Sequence, residues 1–411
     1  MILLLGYGIS NKSIANYLDK IGEDYIIYDD YENETFITMD NINLIIKSGS
    51  FRNDHYLLLQ AKLNNVEIVS DLEYYYRVTK EKEIIVVTGS NGKSTTVSLI
   101  KNILGKNVDI AGNIGYPLFD YVNSRKDIVI ESSSYMNEYL SEFKAKYYVI
   151  TNLYSNHLEH HGSYNEYIKA KLNLLRNIEH NDFLIYNYDN ELLRELVKNY
   201  DCYKIPFSKF KTSRGVFIDK NYIWFNQHKV ISLDDITLVG EHNLENILAS
   251  VATTFCYGFN IDLIRVGITT FKGIEHRLEK FMVKNNIEVY NDSKATNFMA
   301  LKSALDSFVN KRILLVCGGE KKSDNYDIIK NSLKNVKEVV VNGENRYELL
   351  NYFQSKNIVS KSYEDLKSVV DDKEKLLNED VDVILFSPGS PSFDQFKNFE
   401  DRGRFFKTNM I

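Results

Sequence analysis

Cysteine, proline and tryptophan are scarce: 3, 4 and 1 in 411 residues. Cys202, Cys256 and Cys317 lie too far apart for a metal-ligand pattern or a disulfide framework, which points to a reducing compartment. No apolar run approaches the roughly 20 residues that a membrane span needs. The opening MILLLGYGIS has an apolar run of only Ile2–Leu5, no basic residues before it and no small-residue cleavage site after it, so it is not read as a secretory leader. There is no basic excess either. The net charge of −6 argues against nucleic acid or an anionic membrane as main partner. Internal repeats and low-complexity segments are also lacking. A cytoplasmic chain without membrane insertion is expected.

What is present is the balance of a globular protein with a real core, 44% hydrophobic and 26% charged. The length suggests two or three domains. Strand-like apolar runs alternate with amphipathic stretches throughout, the pattern of α/β layers around parallel sheets. Three blocks are read: 1–82, opening with ILLL and DYIIYDD; 83–270, with IIVVTG, DIVIESSS, AKYYVITN and NDFLIYN; and 271–411, with IEVYNDSKATN, RILLVCGGE, EVVVNG and VDVILFSPG. The charged stretch Thr79–Glu83 is the expected linker between the first two.

IIVVTGSNGKSTTVSLI carries the strongest local signal. A strand ending in a Gly-rich turn and a helix beginning near Lys93 is the layout of a phosphate-binding loop. Gly89 and Gly92 let successive backbone N–H groups point at phosphate oxygens, and the helix N-terminus adds its positive end. In that layout Lys93 reaches the β- and γ-phosphates and Ser94 is a Mg²⁺ ligand. The loop is a shortened variant, with Val87 where the full pattern has glycine. Glu131, at the end of DIVIE, stands where a second Mg²⁺ ligand belongs.

Other signals are weaker. Gly6-x-Gly8 after the first strand, with Tyr28–Asp30 about 20 residues on, fits a plain tight turn, a nucleotide-moiety site or an NAD site. SNHLEHHGSY offers His157, His160 and His161. The His-x-x-His-His spacing suggests zinc, but no acid or cysteine nearby in sequence completes a site, so a polar loop is the commoner explanation. His157, nearest the strand end, is the one taken toward the site. In YNEYIKAKLNLLRN the apolar stripe is Tyr164, Tyr167, Leu172 and Leu175, and Lys169 and Lys171 read as solvated charges. Arg277 in GIEHRLE is placed to stabilise phosphate charge. NDSKATN gathers short polar groups around Lys294 that are expensive to bury without ligands. VCGGEKKSDN offers Lys321 and Lys322 to an anion. The loop FSPGSPSFDQFKNFEDRGRFF opens at the end of another buried strand, where α/β proteins place ligands.

Taken together, and in this order along nearly the whole chain, these motifs resemble the Mur ligases, an ATP-dependent amide-bond-forming family. TGSNGKST resembles the family's phosphate loop, GNIGYPL its N-I-G turn, and GEHNLENILA the segment facing adenine. GIEHRLE, NDSKATN and SPGSPSFDQFKNFEDRGRFF are similar to the branch that adds D-glutamate. The resemblance implies three α/β domains: a Rossmann-like N-terminal domain (1–82) for the UDP moiety, a central P-loop ATPase-type domain with a mostly parallel sheet (83–270), and a Rossmann-like C-terminal domain (271–411) for the amino acid.

The resemblance also implies a monomer acting on three small molecules, UDP-N-acetylmuramoyl-L-alanine, D-glutamate and ATP, in peptidoglycan precursor synthesis, with domain closure around them. Two Mg²⁺ ions are implied, on Ser94, Glu131, His157 and a carbamylated Lys171. Lys93, Lys171 and His157 are the implied catalytic residues. ATP contacts fall on Gly89, Asn91, Gly92, Lys93, Ser94, Thr95, Asn243, Arg277 and Asp292. UDP-substrate contacts fall on Ile9, Ser10, Asp30 and Asn113. D-glutamate contacts fall on Lys294, Thr296, Lys322, Ser392 and Phe399. Three departures touch substrate contact: Met136 replaces a glutamine, Asn156 an acid, and PGSPS a P-A-C-A-S loop. The competing readings are a ligase for another amino acid, a nicotinamide dehydrogenase, and a non-catalytic nucleotide-binding regulator.

Overall fold

The computed structural model describes every residue except 31–36, 50, 80–81, 237, 239, 309 and 323–324. Part of the expected linker, residues 80–81, therefore lies outside the described residues. The chain divides into two compact units, one of Met1–Ile236 with His242–Phe271, the other of Thr237–Glu241 with Lys272–Ile411. Among the described residues no helix is long and apolar enough to cross a membrane. All three cysteines are free.

The first unit holds two sheets. The smaller has β1 (Ile2–Leu5), β2 (Tyr25–Tyr28), β3 (Leu44–Lys47) and β4 (Glu67–Ser70) in the order β2-β1-β3-β4, all parallel. The larger has nine strands: β5 (Ile84–Thr88), β6 (Val108–Gly112), β7 (Asp127–Glu131), β8 (Tyr147–Ile150), β9 (Phe183–Asn187), β10 (Tyr203–Ser208), β11 (Val216–Asp219), β12 (Tyr222–Phe225) and β13 (His228–Ser232). Their order is β13-β12-β11-β10-β9-β8-β5-β7-β6, parallel from β6 to β11 and closed by two antiparallel pairs. The apolar runs that read as strands are continuous because both sheet faces are covered. Ile84, Ile85, Val86 and Val87 are all buried.

Strand β5 sits between β7 and β8: the chain runs from β5 to β6 on one side and crosses from β7 to β8 on the other. The crevice at the carboxyl ends of such neighbours is where open α/β sheets bind ligands. The second unit has β14 (Glu279–Lys284), β15 (Ile287–Asn291), β16 (Ile313–Gly318), β17 (Val336–Asn342), β18 (Val359–Ser362) and β19 (Val383–Phe386) in the order β14-β15-β19-β16-β17-β18. Only β14 is antiparallel to its neighbour.

One apolar cluster runs through both sheets of the first unit, from Leu4 and Ile46 to Val86 and Ile130. A polar clamp reinforces it. Glu73, fully buried, accepts hydrogen bonds from the backbone N–H groups of Ser141 (3.0 Å), Glu142 (2.9 Å) and Phe143 (3.0 Å), from the Ser141 hydroxyl (3.0 Å) and from Arg77 Nε (2.9 Å). Burial alone would raise its pKa, but these donors outweigh burial and hold the carboxyl below its ordinary value of 4.5. A group depressed on folding adds stability above its unfolded pKa and loses it as pH falls through the folded one. Glu73→Gln is therefore expected to lower stability by about 2 kcal/mol at neutral pH. In urea titrations the difference from wild type should shrink as pH falls below 4.5; a gap unchanged at low pH would refute the charge-assisted clamp.

Candidate active site

The turn between β5 and the helix Lys93–Leu104 is a cradle in which two positions admit only glycine. Gly89 (φ 147°) and Gly92 (φ 84°) have left-handed backbone, and a Cβ would stand 1.9 Å from Thr151 Oγ1 and 2.1 Å from Asn246 Oδ1 respectively. The loop is held from outside by polar side chains. Asn91 N–H donates to Asn152 Oδ1 (2.9 Å), Thr151 Oγ1 to Asn91 O (2.6 Å), and Ser90 shares a hydrogen bond with Tyr167 (2.8 Å). Lys93 Nζ donates to the carbonyls of Gly89 (2.9 Å) and Ser90 (3.1 Å). Asn246 Nδ2 donates to Asn243 Oδ1 (3.1 Å), which puts the predicted Asn243 beside this loop. Ser94 and Thr95 lie buried in the first helical turn.

Glu131 ends β7 directly opposite Val87 of β5. It is buried; Asn113 Nδ2 donates to its Oε1 (2.9 Å), and its Oε2 has no hydrogen-bond partner among the described residues. An unpartnered buried carboxylate oxygen beside a phosphate-type loop is a donor a hard cation would satisfy, so the residues fit Mg²⁺. Lys171 corrects the reading of it as a solvated charge. It is 2% exposed, whereas Lys169 two positions earlier is solvated and pairs with Glu166 at 2.7 Å. The helix Tyr164–Leu172 turns them apart, since residues two apart face different sides. Lys171 Nζ lies 3.4 Å from Thr88 Oγ1 and 5.0 Å from the centre of the Tyr167 ring. Burial, with Lys93 nearby, pushes its amine well below the ordinary value, against the pull of Glu131. His157 has a left-handed backbone (φ 53°); burial lowers its pKa too, with Lys171 and Lys93 adding to the shift.

A cavity of about 570 Å³ is bounded in part by Asn113, the residue that bonds Glu131. Its lining includes the predicted Ile9, Ser10 and Asn113, the departure residue Met136, and Asp71. Asp71 is half-buried, and desolvation there raises its carboxyl to about 6. Asp30 is not in the lining; it is exposed and lies 3.3 Å from His55. Its neighbour Asp29 accepts the Tyr7 N–H (2.7 Å) in the Gly6-x-Gly8 turn.

In the second unit Asp292, Lys294, Thr296, Lys322 and Ser392 lie on loops that follow β15, β16 and β19, while Arg277 precedes β14 and Phe399 opens the helix Phe399–Met410. Asp292 accepts from Ser387 Oγ (2.7 Å) and Leu278 N–H (3.1 Å), tying GIEHRLE and SPGSPS together. Burial raises its carboxyl to about 7, against Arg277. Lys294 Nζ stands 5.5 Å from the centre of the Phe399 ring, Ser392 is buried, and Lys322 is exposed beside 323–324, which lie outside the described residues. Thr296 is half-buried. Arg402, 3% exposed, was not singled out from sequence. It donates to Ser293 Oγ (3.0 Å), Ser293 O (2.9 Å), Ser390 O (2.9 Å) and Pro391 O (3.0 Å), joining the two loops that carry Lys294 and Ser392. Burial pulls the guanidinium down to about 10. EDRG was visible as a polar cluster, but nothing local says that its arginine points inward.

The Mur ligase middle domain matches residues 87–254, and the Mur ligase, glutamate ligase domain matches residues 276–389. UDP-N-acetylmuramoylalanine--D-glutamate ligase of Oceanobacillus iheyensis is 35% identical over 376 residues, 90% of this chain and 83% of that protein. The chain belongs to the Mur ligase family. The same-named ligase of Caldicellulosiruptor saccharolyticus is 33% identical, covering 99% of this chain and 97% of its own. Among solved structures, UDP-N-acetylmuramate-alanine ligase of Thermotoga maritima shares the fold with a TM-score of 0.62 at 21% identity, over 98% of this chain and 97% of that one. MurF ligase of the same organism, solved in complex with ADP, has a TM-score of 0.58 at 16% identity, over 100% and 94%.

Mur ligases are ATP-dependent ligases, and this chain is one. Thr151, Asn152 and Asn246 hold the shape of the cradle. Gly92→Ala is expected to weaken ATP binding at least about 10-fold, because the methyl would displace Asn246 and the loop with it. Gly105→Ala, strained alike at φ 60° but with nothing within 4 Å of its Cβ, should keep wild-type affinity in the same calorimetric titration. Equal losses in both would mean backbone strain, and not the cradle's shape, is being measured.

Proposed function

We propose that this chain joins D-glutamate to the free carboxyl of UDP-N-acetylmuramoyl-L-alanine, driven by ATP, in cytoplasmic peptidoglycan precursor synthesis. The observation that carries the reading is the grouping of Lys93, Glu131 and Lys171 at the ends of β5 and β7, in a chain 35% identical to a ligase of that name. The substrate carboxylate attacks the γ-phosphate, a carboxyl O–P bond forms, and ADP leaves. The D-glutamate amine then attacks the acyl carbon, the C–N bond forms, and phosphate departs while the amine sheds its proton. Two anions must meet in the first step, so positive charge at the phosphates is the main catalytic need. Lys93 supplies part of it, and Arg277 is assigned the same role.

Mg²⁺, when bound, screens further phosphate charge. We assign it to Ser94, Glu131, His157 and Lys171, as two ions with Lys171 carbamylated. A lysine amine must be neutral to add to CO₂, and the depressed pKa of Lys171 keeps it so. The carbamate that results is anionic and stands near Lys93 as its counter-charge. Asn243 and Asp292 are assigned to ATP, and Ile9, Ser10, Asn113 and Asp30 to the UDP substrate, of which all but Asp30 line the cavity or bond Glu131. Lys294, Thr296, Lys322, Ser392 and Phe399 are assigned to D-glutamate. A three-domain division at 82 and 270 is supported by one sheet per domain, and a monomer by the supply of every assigned group from one chain.

Phosphate release from Mg²⁺, ATP and UDP-N-acetylmuramoyl-L-alanine should depend on D-glutamate, and not on L-glutamate, L-alanine or a diamino acid, with a product heavier by one glutamyl residue. Release with another amino acid alone would overturn the specificity. Lys93→Ala should abolish turnover with the unfolding temperature unchanged. Arg402→Met should raise the KM for D-glutamate about 10-fold or more while leaving the KM for ATP in place, because it frees the loops that hold Lys294 and Ser392. An equal rise in both would mark Arg402 as a general structural residue.

A further inference from the structure

The fold brings to the His-x-x-His-His run an acid from elsewhere in the chain. Glu138, 22 residues before His160, follows the short helix Ser134–Asn137 and turns its carboxylate onto both histidines. Its Oε1 lies 3.0 Å from His160 Nε2 and 3.1 Å from His161 Nδ1. All three atoms are within 4.8 Å of one another. The side chains are 8%, 7% and 2% exposed for Glu138, His160 and His161. His157, by contrast, turns 40% of its side chain outward and meets Glu159 instead.

We propose that Glu138, His160 and His161 form a binding site for a borderline divalent metal ion of the Zn²⁺ type, distinct from the Mg²⁺ ligands assigned above. Two imidazoles and one carboxylate are the donor set that suits Zn²⁺, Co²⁺ or Ni²⁺, whereas the oxygen-rich set around Glu131 suits Mg²⁺. Metal–ligand bonds of about 2.0–2.2 Å in a tetrahedron put ligand atoms about 3.3 Å apart. The two observed separations from Oε1 need open by only a few tenths of an ångström to reach that value.

The surroundings already hold the ligands as a metal site requires. His161 Nε2 lies 2.9 Å from Ser134 Oγ, which turns Nδ1 toward the carboxylate. Lys47 Nζ stands 3.7 Å from Glu138 Oε2 as its counter-charge, so Oε1, the oxygen that faces both histidines, is the one for the ion. The Tyr135 ring packs at 4.5 Å from the His160 ring and 5.6 Å from the His161 ring, closing the site from one side. His160 also lines the 570 Å³ cavity, so the fourth coordination position is the one open to water or to an oxygen of the cavity's occupant. On binding, each neutral imidazole offers its unprotonated nitrogen to the ion and carries its proton on the other ring nitrogen, and affinity falls with falling pH as protons compete for the ligand nitrogens. The site does not depend on which amino acid the ligase takes.

The test uses the full chain without a histidine tag, stripped by chelator and titrated with Co²⁺ in excess Mg²⁺, which occupies oxygen-rich sites. One equivalent should give the intense visible bands of tetrahedral Co²⁺, bleached by Zn²⁺. His160→Gln and His161→Gln should each abolish the bands, and Ser134→Ala should weaken affinity about 10–100-fold. Absence of the bands in the wild type, or their survival in either histidine variant, would overturn the proposal. Unfolding temperatures identify a variant that fails to fold; should His161→Gln do so, His160→Gln at the cavity wall decides alone.

Discussion

Lys171 carries a group that water solvates well into a place where water does not reach, and much of the first unit is arranged around that fact. It is 2% exposed, with Thr88 as hydrogen-bond partner, the Tyr167 face 5.0 Å away, and Lys93 and Glu131 within electrostatic reach. A buried ammonium beside a second lysine is unfavourable, so the amine is driven to its neutral form. Glu131 has the matching problem, with one carboxylate oxygen satisfied by Asn113 and the other unpartnered. Such groups persist in a core when a ligand completes them. The parallel sheet makes this possible, because β5, β7 and β8 end together and deliver the phosphate loop, Glu131 and the His157 segment to one rim.

The second unit meets the same constraint with one arginine. Arg402 is buried, and its donors go to the hydroxyl and carbonyl of Ser293 and to the carbonyls of Ser390 and Pro391. A planar guanidinium can span several acceptors at fixed angles, which a lysine cannot. It thereby fixes two loops from strands that are neighbours in the sheet, β15 and β19. Asp292, neutralised in part by burial, fastens the same strand ends to the GIEHRLE turn.

Much of this was legible before the fold. The long buried runs, β1, β5, β7, β8, β9, β15, β16, β17 and β19, announce themselves because strands covered on both faces are apolar throughout. Strands β4 and β18 escaped because each carries exposed positions, and β11–β13 form meandering pairs whose turn at Lys220 and Asn221 has no glycine although both residues have positive φ. The phosphate loop was legible because its chemistry is local. Lys171 was not, since composition makes every lysine in a polar helix look solvated, and only its resemblance to a family position singled it out.

The sequence alone determined the class of fold, the position of the phosphate loop and the family, because each rests on residues adjacent in the chain or on motif order. The tertiary structure decided which lysine is buried and which is solvated, that Arg402 rather than a nearer residue ties the C-terminal loops, that Asp29 rather than Asp30 bonds the first glycine turn, and that Glu138 completes the histidine run. Each of these depends on which side of a strand or helix faces a partner distant in sequence. Burial and charge coupling are set there, by packing, and not by neighbours along the chain.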